Sequence, residues 1–306
     1  VGSAGVTTLR ALRALRSVRV LLAGLALAVC GHAAHAGAVA LRDDLGREVA
    51  FTHPPQRVIT LLPSLTETVC ALDACGRLVA TDRYSNWPAA VGALPKAGGL
   101  DDAAVEVIVG LKPDLVLLSR SQRITDRLSE LGIPSFALTT ETYADIGRNI
   151  EVIGRILGIE ERAATLARSI DDTVRQISER AVAARHGAGP RVYFEVDRAP
   201  YAAGPRSFIG ELLERLGTQN IVTADLGYFP KLNPEYVVRQ GADVIFVSPQ
   251  EAPRLAQRPG WDGIRAVREH RLCSFSSEVN DSIVRPGPRV PEGMRALADC
   301  LARVAP

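Results

Sequence analysis

Two glutamates recur at matched places in the chain. Glu106 opens the stretch Glu106-Val-Ile-Val-Gly-Leu-Lys-Pro-Asp114-Leu-Val-Leu-Leu-Ser119, and Glu235 opens Glu235-Tyr-Val-Val-Arg-Gln-Gly-Ala-Asp243-Val-Ile-Phe-Val-Ser248. Each copy sets a carboxylate in the first turn of a short helical segment, then an aspartate, then an apolar strand ending at serine. A carboxylate in that position complements the helix macrodipole. The other reactive side chains are sparse. His53, His186 and His270 lie far apart in polar or turn contexts, so neither Ser64 nor Ser207 has a histidine partner in sequence, as nucleophilic catalysis would require. The chain has no Gly-x-x-x-x-Gly-Lys-Ser/Thr phosphate loop, no Gly-x-Gly-x-x-Gly opening a helix after a strand, and no Gly-x-Ser-x-Gly elbow. Histidines and carboxylates do not gather as a divalent-metal site needs. A non-enzymatic binding protein fits this inventory; a secreted α/β hydrolase or sensor domain is the alternative from another class.

The elements that must position these residues come in two sets. Arg57-Val-Ile-Thr-Leu-Leu-Pro63 and Arg191-Val-Tyr-Phe-Glu-Val196 read as buried strands, one before each copy of the glutamate segment. A period of about 130 residues is far too long for a solenoid repeat and predicts two related lobes. In the first, strands at Arg57 to Leu62, Arg77 to Thr81, Asp114 to Leu118 and Pro134 to Leu138 alternate with helices. The helix after Pro63, with Ser64 or Thr66 as its cap, is expected to end near Leu72. Such alternation predicts a parallel sheet with helices on both faces. The second lobe has strand Arg191 to Val196, helix Ser207 to Leu216, the repeated segment, strand Leu272 to Phe275 and a closing helix Glu292 to Val304. Between them, Ile146, Ile150, Ile153, Leu157, Leu166, Ile170, Val174 and Ile177 form a helical stripe broken only near Gly158. The expected fold is α/β: two Rossmann-like lobes with parallel-rich central sheets joined by a single long helix. A pair of helices packed on one lobe is the alternative for the middle. The expected boundaries are a signal peptide at 1–36, an N-terminal lobe at 37–142, a linker helix at 143–186 and a C-terminal lobe at 187–306.

The signal peptide is read from Arg10, Arg13, Arg16 and Arg19, the apolar run Val20 to Cys30, and Ala34-His35-Ala36 as the cleavage site. That run is too short to span a bilayer. The rival reading is a lipoprotein acylated at Cys30 in Leu27-Ala-Val-Cys30. Both readings place the protein outside the cytoplasm, in the periplasm. The formal charge of +2 over 306 residues gives no basic patch for nucleic acid. Cys70, Cys75, Cys273 and Cys300 would then meet an oxidising compartment. Proximity in sequence favours Cys70 with Cys75 and Cys273 with Cys300. Buried free thiols remain open, because a continuing helix would hold the first pair too far apart.

Several stretches then resemble one family. Arg57-Val-Ile-Thr-Leu-Leu-Pro-Ser-Leu-Thr-Glu67, Tyr84-Ser-Asn-Trp-Pro88, Gly98-Gly-Leu-Asp-Asp102, Glu106 through Leu-Lys-Pro-Asp-Leu-Val116, and Arg285-Pro-Gly-Pro-Arg289 are similar to the periplasmic binding proteins of cobalamin, haem and ferric-siderophore importers. The cobalamin-binding branch is the most similar. The resemblance implies a receptor, expected to be a monomer, that holds cobalamin in the crevice between its lobes and delivers it to the permease dimer and ATPase of an ABC importer. Haem or a ferric siderophore is the alternative cargo, and no intrinsic cofactor or metal is expected. It also implies roles for residues. Glu106 and Glu235 would dock onto arginines of the two permease subunits. Tyr84 and Phe229 match aromatics that line the cleft, with Trp87 and Tyr201 as further candidates. Asp281 or Asn280 would accept hydrogen bonds from corrin amides, and Arg285 would meet an anionic group. For Arg289, structural capping is favoured over ligand binding. A helical linker predicts only a small closure on binding.

Overall fold

The structure is a computed structural model that describes residues 39–99, 101–120, 124–184, 187–197 and 200–305. The expected signal peptide and Cys30 lie outside the described residues. The described chain opens on an antiparallel hairpin, β1 (Val39–Arg42) and β2 (Glu48–Phe51). Asp43 in its turn accepts the Arg47 guanidinium and the backbone N–H of Ala137. Those bonds tie the hairpin to the far strand of the first sheet.

That sheet contains β3 (Val58–Thr60), β4 (Leu78–Thr81), β5 (Leu115–Ser119) and β6 (Ser135–Leu138), all parallel, in the order β4-β3-β5-β6. Its helices are α1 (Pro63–Ala71), α2 (Val105–Leu111) and α3 (Thr125–Glu130). The second sheet has β7 (Arg191–Asp197), β8 (Tyr201–Ala202), β9 (Gln219–Asn220), β10 (Val244–Phe246) and β11 (Leu272–Cys273). Only β8 is antiparallel. Without it, the order β9-β7-β10-β11 reproduces that of the first sheet. The repeated aspartates show why. Asp114 accepts the backbone N–H groups of Gln56 and Arg57 at 2.7 and 2.8 Å, and Asp243 accepts that of Arg191 at 2.9 Å. Each therefore fastens the start of one central strand to the next.

Side-chain alternation along the strands serves two faces. Ile59, Val116 and Leu118 pack on the outer face of the first sheet, while Val58, Leu115 and Leu117 point inward. In the second sheet Tyr193 and Ile245 face out and Val192, Phe194, Val244 and Phe246 face in. The inner faces of both sheets belong to one continuous core.

The middle of that core is a helical hairpin. Helix α4 (Tyr143–Leu157) starts with a capping box between Thr142 and Asp145 and ends at Gly158, whose φ of 68° is left-handed. Two residues later α5 (Glu160–Ala183) begins, 24 residues or about 36 Å long. The expected stripe at 143–185 is thus two helices, and the break near Gly158 is a reversal. The Tyr143 hydroxyl donates to Asp171 at 3.0 Å, and a Cβ on Gly154 would collide with that of Ala163. Both helices of the hairpin reach both lobes: in α4 the Leu157 carbonyl accepts from Arg77 at 2.9 Å and the Tyr143 N–H donates to Glu211 at 3.1 Å. In α5, Arg162 near its start pairs with Asp73, and Ser178 near its end donates to the Arg215 carbonyl at 2.6 Å.

The second lobe's helices are α6 (Phe208–Arg215), α7 (Pro234–Gln240), α8 (Arg265–Arg268), α9 (Ser277–Val284) and α10 (Val290–Val304). One expectation changes and one open alternative closes. Neither Ser64 nor Thr66 caps α1; Pro63 occupies its first turn and Thr66 bonds instead to Thr60 and Ser85. The cysteines are paired, Cys70 with Cys75 and Cys273 with Cys300. The first pair forms because α1 does not continue: it stops at Ala71, and Asp73 turns the chain back at φ 56°.

Candidate functional site

A cavity of about 460 Å³ opens between the two sheets at the carboxyl ends of their strands, where open α/β sheets bind ligands. The first lobe contributes Leu62, Pro63 and Ser64 after β3, Tyr84 after β4 and Thr140 after β6. The second contributes Val196 from β7, Phe208 and Ile209 from α6, Phe229, and the end of α9 with Asp281, Val284 and Arg285. Phe229 packs on Phe208 with ring centroids 6.1 Å apart. Helix α6 is placed by its Ser207 cap and by the Phe208 N–H, which donates across the seam to the Glu141 carbonyl at 2.8 Å.

Tyr84 is 55% exposed on a loop that is held from below. Asp82 accepts the N–H groups of Tyr84 and Ser85 at 2.8 and 3.1 Å and also the Ser85 hydroxyl. Burial pushes the Asp82 carboxyl above the usual carboxylate range, against the opposing pull of those bonds and of Lys96. Burial likewise lowers Lys96, whose ammonium donates to Thr81 at 2.9 Å and to the Ser85 carbonyl at 2.8 Å. The aromatic thus stands on a stiff polar base.

Arg285 lines the cleft, but protein groups already occupy it. Its guanidinium reaches Glu67 at 2.8 Å, Asn86 at 2.8 Å, the Tyr84 carbonyl at 3.2 Å and Asp281 at 2.7 Å. Glu67 is 1% exposed and also receives Arg289 at 3.0 and 3.1 Å. Sequence reasoning missed Glu67, although it closes the Leu-Pro-Ser-Leu-Thr-Glu67 motif. Trp87 does not line the cleft; it is half-buried with the Arg289 guanidinium 4.9 Å above its ring. Tyr201 is 39% exposed on β8 with Lys231 at 6.0 Å from its ring, also away from the cleft. Glu106 and Glu235 occupy equivalent places in the first turns of α2 and α7, both exposed and without a side-chain partner among the described residues.

A family model described as periplasmic binding protein matches residues 58–279. The chain belongs to that family. Its members are the non-enzymatic solute-binding components of ABC importers, which act outside the cytoplasm with a permease and an ATPase. Among relatives of this periplasmic binding protein, an uncharacterized ABC transporter substrate-binding lipoprotein of Bacillus subtilis is 28% identical over 92% of this chain and 95% of its own length. A cobalamin-binding protein of Halobacterium salinarum is 31% identical over 84% of this chain and 72% of its own. The vitamin B12-binding protein of Vibrio cholerae superposes with a TM-score of 0.70 at 22% identity, covering 82% of this chain and 98% of that one. A haem-binding protein of Roseiflexus gives 0.72 at 21% identity, covering 82% and 99%. These likenesses carry the expected fold class: two α/β lobes joined by a helix.

Proposed function

We propose that this periplasmic binding protein captures a corrinoid in the cleft and delivers it to an ABC permease dimer. The observation that carries the reading is the chemistry of the wall. Val196, Phe208, Ile209 and Phe229 make it largely apolar, and Arg285, the one cation among the described lining residues, is already paired. An apolar wall with a few polar groups suits a large neutral macrocycle rimmed by amides. Haem propionates or an anionic siderophore would call for a guanidinium that is not already engaged. The similarity to a cobalamin-binding relative supports the same ligand.

In this reading Tyr84 and Phe229 offer flat surfaces to the ring, and Asp281 accepts hydrogen bonds at its edge. Trp87 and Tyr201 act away from the ligand. Glu106 and Glu235 are the handles that meet the two permease subunits. The lobes are 37–142 and 187–306, and one receptor monomer serves one permease dimer. Cleavage after Ala36 releases the protein to the periplasm. Mass spectrometry checks this: an N-terminus at Gly37 without lipid is expected, and a lipid on Cys30 would mean cleavage before that cysteine and anchoring in place of release.

Titration of the purified protein with cyanocobalamin, haemin and a ferric siderophore tests the ligand. Cyanocobalamin should bind the most tightly. The exposed Tyr84 phenol favours haem as the second reading, because a phenolate can ligate its iron. Tight haemin binding that disappears in Tyr84→Phe would replace corrinoid with haem.

A further inference from the structure

Four charges cross the seam between the lobes. Glu67 lies on α1 of the first lobe, and Arg289 and Arg285 come from the loop before α10 of the second. Asp281 on α9 holds the other side of Arg285 at 2.7 Å, and Asn86 bridges Arg285 at 2.8 Å and Asp281 at 3.2 Å. Two carboxylates and two guanidiniums sum to zero. Glu67 and Arg289 sit inside the protein, while Asp281 and Arg285 form the face that the cleft presents to its ligand.

A guanidinium is an effective receptor for carboxylates and cannot lose its proton. Arg285 would therefore draw anionic ligands into the cleft if it stood alone. Here its guanidinium is held by Glu67, Asn86, Asp281 and the Tyr84 carbonyl, and Glu67 is the buried carboxylate among them. The buried carboxylate takes one nitrogen of Arg285 and two of Arg289, and Trp87 covers the face of the Arg289 guanidinium at 4.9 Å. A stability role alone would not need Asp281 and Asn86 to engage the cleft side as well.

We propose that Glu67 is a specificity-determining residue: together with Asp281 it neutralises Arg285 at the cleft wall, so that the protein selects a neutral ligand over an anionic one of the same shape. The proposal rests on the cleft being the ligand site of the corrinoid reading. It assigns the discrimination to charge at the seam and gives Glu67 no contact with the ligand. Glu67 is in this sense a positioning residue.

The test uses cyanocobalamin and its monocarboxylate, in which one side-chain amide is hydrolysed and one negative charge is added. The wild-type protein should prefer the neutral form. Glu67→Gln keeps the shape and leaves the seam with one excess positive charge, and it should reduce that preference about tenfold. The double variant Glu67→Gln/Arg285→Gln, neutral again, should restore it. Raising the salt concentration should shrink the gain, as screening requires of an electrostatic effect. Removing one partner from a buried ion cluster can be strongly destabilising. Arg285→Gln, which leaves Glu67 paired with Arg289 and the seam with one excess negative charge, should instead raise the preference for the neutral form, and it decides the matter if Glu67→Gln does not fold. An affinity ratio that stays unchanged in the folded variants, whatever happens to the absolute affinities, overturns the proposal. If the wild type binds haemin and not cyanocobalamin, the corrinoid reading falls. The charge inference is then decided by the ratio between haemin and its uncharged dimethyl ester.

Discussion

Replacing Glu106 and Glu235 with glutamine, singly and together, probes the two handles. Each carboxylate is exposed in the first turn of a seven-residue helix and has no side-chain partner among the described residues. Each substitution thus removes from the free protein only the macrodipole contribution, about 0.5 kcal/mol. Against a permease arginine at about 4 Å, the Coulomb energy is about 4 kcal/mol at an effective dielectric constant near 20. Dehydration of both groups offsets a good part of it, leaving about 2 kcal/mol for each handle, or about a thirtyfold loss of affinity. The handles sit on different lobes and share no partner, so the losses should add to about 4 kcal/mol, roughly a thousandfold. The assay is binding of ligand-loaded protein to the permease–ATPase complex in lipid nanodiscs, at low and high salt. Cyanocobalamin affinity should not change, since neither glutamate lines the cleft. The geometric equivalence of α2 and α7 makes the reasoning easy to refute. If one glutamate carries nearly all the loss, or the double variant is no weaker than a single one, the pair is not a twofold docking device.

Three further outcomes follow from the fold. Small-angle scattering with and without saturating ligand should show little compaction, under about 1 Å in radius of gyration, because the lobes share one core; a larger change would refute a preset cleft. Removing the bond between Cys273 and Cys300, which closes a 27-residue separation, should cost about 3.5 kcal/mol by loop entropy and roughly 10 °C in Tm; chemical denaturation of Cys273→Ala/Cys300→Ala checks this, and a loss below about 1 kcal/mol would count against it. Asp44 has a depressed pKa: burial alone would raise it, but the Arg148 pair at 2.6 and 2.7 Å and the Thr139 N–H outweigh burial. A depressed carboxyl stabilises the fold above its unfolded value near 3.8 and loses that contribution as pH falls through the folded value. Asp44→Asn should therefore be less stable at neutral pH by about 1 kcal/mol, a modest figure because Arg148 is partly exposed. The difference should vanish as the pH falls through the depressed folded value, and a gap that persists in stronger acid would argue against the ion pair as its source.

The duplicated segments were legible because parallel strands buried on both faces appear as unbroken apolar runs. The runs at Leu115–Ser119 and Val244–Phe246 therefore stand out, each with its aspartate just before it. Strands β8 and β9 are two residues each, too short for any period to show. The reversal at Gly158 was hidden for another reason. Helices α4 and α5 pack against the same core, so apolar residues recur at spacings of three or four on both sides of the turn, and the one break near Gly158 passes for an irregularity within a single helix. Glu67 was missed because its partners lie 218 and 222 residues away, and sequence order says nothing about such pairs. Trp87 was expected at the ligand for the related reason that its guanidinium partner, Arg289, is equally remote.

On the proposed reading, the seam gives a receptor with little motion a way to be selective. A hinged receptor gains discrimination by closing on the correct ligand, at a conformational cost that only that ligand repays. Here the inner faces of both sheets, the hairpin of α4 and α5, and the closing helix α10 belong to one core, so closure has little to contribute. Discrimination must then be built into the static wall, which is where the neutralised Arg285 and the stiffly based Tyr84 stand. The same rigidity fixes the spacing between Glu106 and Glu235. If the two glutamates are the permease handles proposed above, empty and loaded proteins present nearly the same pair of them, and a permease that tells the two apart must do so at the cleft rim, around Tyr84 and Asp281.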